Sequence, residues 1–388
     1  MRIFTLIFSL SFFTGYAQTL WRLELPSPGG LLPVHISLEA NNAYIVNADE
    51  KLAFDEVKRI KDTVIMKMDL YDLEIKLLPS KRSGIFGKRG ADKIYRTAVF
   101  RASPNEPKRF IGPSPTQELA SKYEIQFYNP HTQETSPGIG VFSVKGNEVT
   151  GSFLSTTGDH RYLKGNILGD SLFLSTLGST ATLYKAKIEG NKLVGGTSFS
   201  PFTAGNHFSG QENEEYQLPD ADKLTYLKEG VSHFDFTFTD VKGKKVSLTD
   251  PEYKGKVTVV QLLGTWCPNC MDETRFLLEY RKKHPDVEVI GLAFERSADP
   301  SFAVPKIERF IQRYNVNYTV LLAGSIEEAP AKLPQLNHVM AFPTSIVVDK
   351  KGNVRKIHTG FSGPGTGKFY EEYVKEFSAL MDVLRGEE

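Results

Sequence analysis

Cys267 and Cys270 are the only cysteines in a chain of 388 residues, and they stand three positions apart in Gly264-Thr265-Trp266-Cys267-Pro268-Asn269-Cys270. A C-x-x-C pair that follows a buried strand and opens a helix is built for thiol–disulfide exchange. The helix N-terminus offers unpaired amide hydrogens and positive dipole potential, which stabilise the first thiolate. Two intervening residues let the second sulfur reach the first without strain. The second thiol, one turn inward, stays shielded until a mixed disulfide brings it into play. Cys267 is therefore the candidate nucleophile and Cys270 the candidate resolving thiol.

Other uses of the pair fit less well. A zinc site needs two further ligands at matching spacing, and here no second cysteine pair exists while His338 and His358 are scattered. No metal is expected, and no cofactor beyond the redox-active cysteine pair. One alternative is a partner- or ligand-binding β-domain protein with a static Cys267–Cys270 disulfide, but so short a loop staples almost nothing. Another is a peroxiredoxin-like peroxidase. That chemistry uses a lone peroxidatic cysteine, whereas a pair at a helix start favours dithiol exchange.

Two carboxylates bear on the same chemistry. Residues three apart share a helix face, so Glu273 falls near Cys270 and can shuttle the proton of the resolving thiol. The competing reading is a first-turn glutamate that only complements the helix dipole. Glu295 ends the following strand and reads as a solvated carboxylate.

The elements that must hold this segment are legible from the pattern. Val257 to Leu263 is a nearly continuous apolar run, as in a strand buried on both faces. Helices are expected over Glu273 to Lys283, over Lys306 to Tyr314 behind Pro305, and over Lys368 to Leu384. Strands are expected over Val287 to Phe294, Tyr318 to Leu322, Thr344 to Val348 and Val354 to His358. The order describes a small α/β sheet with helices on both faces. Upstream, Trp21 to about Phe208 reads as β-structure, with alternating runs such as Val64 to Met68 and Tyr123 to Phe127. Turn pairs at Gly146-Asn147, Gly165-Asn166, Gly169-Asp170 and Gly190-Asn191 suggest an antiparallel meander, a barrel or a sandwich. Gln211 to Gly230 is polar and acidic and reads as a linker, with Tyr226 and Leu227 able to dock it. The expected division is a β-rich domain over 18–210, a linker over 211–230 and an α/β domain over 231–388.

The C-terminal part, roughly Ser232 to Leu384, resembles the thioredoxin superfamily and, within it, the TlpA/ResA-like envelope disulfide reductases. The family's Trp-Cys-x-x-Cys stands as Trp266 to Cys270, and its proline before the third core strand, cis in the family, as Pro343 in Ala341-Phe342-Pro343-Thr344. Gln261 replaces the acidic residue that cytosolic thioredoxins carry six positions before the first cysteine, and Glu273 stands where the group places a glutamate. The segment from Arg296 to Pro305 is longer than in minimal thioredoxins, as in that group. Arg275 departs from the proline often found two residues after that glutamate, which bears on the local kink of the helix.

The resemblance implies a thioredoxin-like fold and a client groove lined by Trp266, Phe342 and Pro343. It implies disulfide-bearing client proteins, such as apocytochromes awaiting haem, and an envelope or membrane electron donor that restores the dithiol. Oxidants of the family pair the proline after the nucleophile with a histidine. Asn269 cannot carry that positive charge, so the reading leans towards a reductant. The segment Gly158-Asp159-His160-Arg161-Tyr162-Leu163-Lys164-Gly165 is similar to one in β-domains fused to such reductases in Bacteroidetes-like bacteria, and carries no known chemistry. His160 reads as a structural residue.

Composition sets the outer bounds. Hydrophobic residues make up 40% and charged residues 24%, which is ordinary for a folded chain and excludes dominant disorder. Lysine and arginine number 47 against 46 acidic residues, a balance that excludes a dedicated nucleic-acid binder. The locally basic stretch Lys81 to Arg109 reads as a solvated loop face. At the N-terminus, Arg2, the apolar run Ile3 to Phe13 and Gly15-Tyr16-Ala17 fit a signal peptide over 1–17, cleaved after Ala17. The run is shorter than the about 20 residues a membrane span needs, and no later span is expected. The expected location is the periplasm or cell envelope.

Overall fold

The computed structural model describes residues 18–90, 93–231 and 233–388, so the expected signal peptide lies outside the described residues. The N-terminal part is mainly antiparallel β and the C-terminal part is thioredoxin-like α/β. Among the described residues no helix is long and apolar enough to cross a membrane.

The β-rich part divides into two sheets. The first is an open, nine-stranded antiparallel sheet built from Thr19–Ser27 through Tyr95–Pro104. Its strands alternate as half-buried strands must: in Thr63–Met68, Val64, Met66 and Met68 point inward. Lys81 to Arg109 is not a solvated loop. It supplies the strands Ser83–Arg89 and Tyr95–Pro104, and Arg109 is buried with its guanidinium on the Pro33 and Val46 carbonyls.

The second sheet closes on itself. Lys122–Tyr128 pairs with both Thr135–Lys145 and Ala204–Glu212, and Thr135–Lys145 pairs onward with Glu148–Ser155, so the antiparallel ring is complete. The meander is a barrel. Its interior is filled by rings, with Phe153 5.2 Å from both Tyr184 and Phe208 and 5.8 Å from Phe127, as small barrels are filled. Gly146, Gly169 and Gly190 take the positive φ that their hairpins require. Gly165 does not turn the chain. It lies inside the strand Leu163–Leu168, where a Cβ would sit 1.7 Å from the Phe173 carbonyl oxygen.

The third sheet places Thr258–Leu263 between Glu288–Glu295, which is parallel to it, and Thr344–Val348, which is antiparallel. Three long helices, Pro268–Lys283, Pro300–Tyr314 and Lys368–Gly386, share one apolar cluster with one face of this sheet. The other face is covered by Phe234, Phe236 and the single turn Ala329–Lys332, so helices do not layer both faces equally. The second helix starts five residues before Pro305. The Asp299 side chain accepts from the Ser301 amide at 2.8 Å and Pro300 opens the helix, a stronger start signal than the internal proline.

The same apolar cluster continues into the open sheet through Leu52, Phe54, Tyr71 and Phe86, so the helices lie between two sheets. Polar ties follow this seam: Lys306 pairs with Asp72 at 3.2 Å, and Arg313 pairs with Asp55 and donates to the Ala53 carbonyl. Between barrel and α/β part, Asp222 holds Lys356 and His358, each at 2.7 Å. Leu227 bridges to Leu336 and the Tyr226 amide donates to Asn337.

Candidate active site

The strand Thr258–Leu263 ends at Gly264, and the helix begins at Pro268 with Cys267 as its N-cap. The Cys267 sulfur accepts from the Cys270 amide at 3.3 Å and its thiol donates to the Phe342 carbonyl at 3.3 Å. Cys267 retains 5% of its surface and Cys270 none, so only the first residue of the pair keeps any exposure. Burial, and then the adjoining Cys267 sulfur, push the Cys270 thiol well above the ordinary cysteine range. Both cysteines are free thiols.

The expected groove residues come together around this sulfur. The Phe342–Pro343 bond is cis, and the Pro343 carbonyl accepts from the Gly360 amide at 2.8 Å. The Trp266 ring stands edge-on to Phe342 at 6.0 Å, and its indole N–H donates to the Phe294 carbonyl at 3.1 Å.

Glu273 is fully buried beneath the pair rather than exposed on the first helical turn. It accepts from Gln261 Nε2 at 2.9 Å and from Ser345 Oγ at 3.0 Å. Burial raises its pKa to about 7, against the opposing pull of those two donors. Gln261 also donates to the Cys270 carbonyl at 3.3 Å, and its own oxygen accepts from Thr274 and Tyr318, each at 3.2 Å. A neutral amide there can serve a carboxylate and a carbonyl at once, which a second carboxylate could not.

Glu295 is not solvated. It is buried and accepts from the Thr265 amide at 2.9 Å and the Thr265 hydroxyl at 3.0 Å, clamping the residue two before Cys267. Burial raises its pKa. Its strand runs buried through Glu295 itself, because the chain leaves the sheet one residue later than the apolar pattern indicates.

The largest surprise is the barrel segment Gly158–Tyr162, which meets the redox turn directly. The Asp159 carbonyl accepts from Asn269 Nδ2 at 3.0 Å. The buried Arg161 donates to the Pro268 carbonyl at 2.9 Å and to the Asp272 carboxylate at 2.5 Å, and it pairs with Glu50 of the open sheet. The open sheet, the barrel segment and the helix that carries Cys270 thus meet at one guanidinium beside the cysteines. The Asp159 carboxylate accepts from the Gly363 and Arg161 amides, and burial and then neighbouring Asp272 raise its pKa to about 6. His160 is structural: its Nδ1 meets the Tyr184 hydroxyl at 3.0 Å and burial lowers its pKa to about 4. Neither type nor spacing marks Asp159, Arg161 and Asp272 for this role. The segment Gly158 to Gly165, which holds Asp159 and Arg161 but not Asp272, is the one sequence signal that touches it.

Comparison with known proteins bears on the α/β part. Residues 228–373 match the Redoxin family model. The thiol-disulfide oxidoreductase ResA of Bacillus thuringiensis subsp. konkukian is 29% identical over 145 residues, covering 37% of this chain and 75% of the relative. The thioredoxin-like protein YneN of Bacillus subtilis is 28% identical over 135 residues, covering 34% and 73%. Among solved structures, a thioredoxin-family thiol:disulfide interchange protein from Chlorobium tepidum aligns at 21% identity and a TM-score of 0.28, covering 38% of this chain and 98% of that one.

Proposed function

With residues 228–373 a ResA/TlpA-like member of the thioredoxin superfamily, we propose that the chain is an envelope thiol–disulfide oxidoreductase that reduces disulfides of client proteins. The observation that carries this reading is the asymmetry of the pair. Cys267 caps the helix and keeps some solvent contact, while Cys270 is sealed beneath it. The Cys267 thiolate attacks one sulfur of the client disulfide. The S–S bond breaks, the other client sulfur leaves as thiolate and takes up a proton, and a mixed disulfide remains. Cys270 gives up its proton and attacks the Cys267 sulfur, which expels the second client thiolate and closes a Cys267–Cys270 disulfide. Counted from the dithiol, in which Cys267 first sheds its proton, two electrons and two protons pass to the client, whose second thiolate takes up the proton given up by Cys270. An envelope or membrane dithiol donor must then restore the pair.

In this reading Trp266, Phe342 and Pro343 line the groove that takes the client backbone. Glu273 relays the proton of Cys270: its pKa of about 7 lets it accept and release a proton near neutrality. The division into 18–210, 211–230 and 231–388 and the export of the chain belong to the same proposal, the latter supported by the pattern of residues 1–17.

The deciding experiment is the reduction potential of the purified Cys267–Cys270 pair, with Cys267→Ser as control. A value of about −270 mV or lower supports a reductase fed by a dedicated donor. A value near about −120 mV makes the protein an oxidant that inserts disulfides. Resistance to reduction would instead favour a static disulfide.

A further inference from the structure

A cavity of about 500 Å³ opens where the open sheet, the barrel and the α/β part meet, and the Trp266 ring forms part of its wall. We propose that this cavity binds an acidic segment of the client chain next to the disulfide being reduced, an inference that rests on the exchange reading above.

Among the described residues the charge lining the cavity is mostly positive. Lys88 and Arg89 enter from a strand of the open sheet, and Arg296 and Lys306 from the segment and helix after Glu295. Two carboxylates of the described residues share the lining. Asp72 is paired with Lys306 at 3.2 Å, and Glu295 is buried with both oxygens engaged by Thr265. Lys88 donates to the Tyr71 carbonyl, and its pKa is lowered to about 8, first by burial and then, against the pull of Asp72, by Arg296 and Lys306. Like charges from two separate parts of the chain are thus brought together in a concavity, where low-dielectric walls strengthen their field. Carboxylates are the anions a polypeptide client carries.

Position makes the segment part of the client. The Arg296 guanidinium lies 5.7 Å over the Trp266 ring, which also stands edge-on to Phe342 of the proposed groove. Trp266 is therefore shared by groove and cavity, and it immediately precedes the nucleophile. The Pro268–Asn269 side of the pair is occupied by the barrel segment. A chain joined to Cys267 that continues past Trp266 enters the cationic cavity. The volume lies within the range of ordinary ligand pockets and suits a few residues rather than a domain.

The test uses the full-length protein and two synthetic peptides with the same internal disulfide, one flanked by aspartates and one by lysines. We expect the acidic peptide to be reduced with a kcat/KM about tenfold higher at low salt, with the difference in KM and shrinking as salt shortens the screening length. In the double variant Arg89→Gln/Arg296→Gln, both at exposed side chains, the preference should fall several-fold. Equal kcat/KM for the two peptides in the unmodified protein, or a preference indifferent to salt, would overturn the proposal. Titration with a cysteine-free acidic peptide, read by tryptophan fluorescence, separates the two ideas. Binding without reduction of either disulfide peptide upholds the cavity and overturns the exchange reading. Reduction of both peptides at equal rates without binding does the reverse.

Discussion

The side-chain amide of Asn269 donates to the Asp159 carbonyl at 3.0 Å, which ties the dipeptide between the two cysteines to the β-barrel 110 residues upstream. Residues between redox cysteines set the geometry in which the second sulfur meets the first. Here that geometry is held partly by a different sheet. The barrel is a wall of the site.

Gly158 makes this contact possible, and substituting it should show as much. Its φ is +125°, and a Cβ there would lie 2.3 Å from Asn269 Nδ2. Gly158→Ala should cost on the order of 1–3 kcal/mol in backbone strain and about 1 kcal/mol for the displaced hydrogen bond. Denaturant unfolding measures the loss. Adding Asn269→Ala removes the clash, so the double variant should be more stable than the sum of the two single effects by about 1 kcal/mol. Strict additivity would show that the two residues do not press on one another.

Arg161 should be among the most sensitive positions outside the cysteines. It is buried, serves the Pro268 carbonyl, and separates the carboxylates of Glu50 and Asp272. Removing one partner of a buried ion pair leaves charge without compensation, at about 3–5 kcal/mol. Arg161→Met should lose that much in urea unfolding. Arg161→Lys should recover only part, because a single ammonium cannot reproduce the planar fork across three acceptors. Full recovery with lysine would mean that charge alone matters at this position.

The contrast between these residues and the cysteines explains what a reader of the sequence can and cannot find. Trp266 to Cys270 and the placement of Glu273 are legible because their meaning is local: a strand end, a helix start, a three-residue step along one face; Pro343 is legible only through the family resemblance. The strand runs of the barrel are legible for the same reason, but its closure is not, since pairing of Lys122–Tyr128 with Ala204–Glu212 leaves no periodic trace. Arg161 and Asp272 meet across 111 positions. Nothing in the type or spacing of either predicts the other. Glu295 misleads for a related reason: a glutamate at a strand end is ordinarily solvated, and only the fold brings Thr265 over both of its oxygens.

Glu273 should give the protein a pH dependence opposite to that of a salt-bridged carboxylate. Its pKa rises from the ordinary 4.5 to about 7 in the folded chain. Between those values the folded state holds the proton more tightly than the unfolded state does. Stability should therefore fall as pH rises through this window, by on the order of 3 kcal/mol. Glu273→Gln keeps the shape and can accept from Gln261 while donating to the Ser345 hydroxyl, so the variant should lose this dependence and be more stable than the parent at pH 8. Its second exchange step should slow, which rapid-mixing kinetics of mixed-disulfide decay would read. A parent protein whose stability rises from pH 5 to pH 8 while the variant's stays flat would contradict the buried, proton-holding carboxylate.

The asymmetry of the two thiols gives the last prediction. Cys270 has no exposed surface, and burial together with the adjoining Cys267 sulfur keeps it protonated above the ordinary range. An alkylating reagent applied briefly to the reduced protein at neutral pH should therefore mark Cys267 alone, as peptide mass spectrometry can establish. The same shielding should make Cys270→Ser a trap. Cys267 would still attack a client disulfide, but no second thiol would be present to expel the client, and a covalent complex sensitive to added dithiol should accumulate. Cys267→Ser should form none, because the remaining thiol lies beneath the helix start and cannot be reached. Equal labelling of both cysteines, or a covalent complex through Cys270 in the Cys267→Ser protein, would reverse the assigned order of attack.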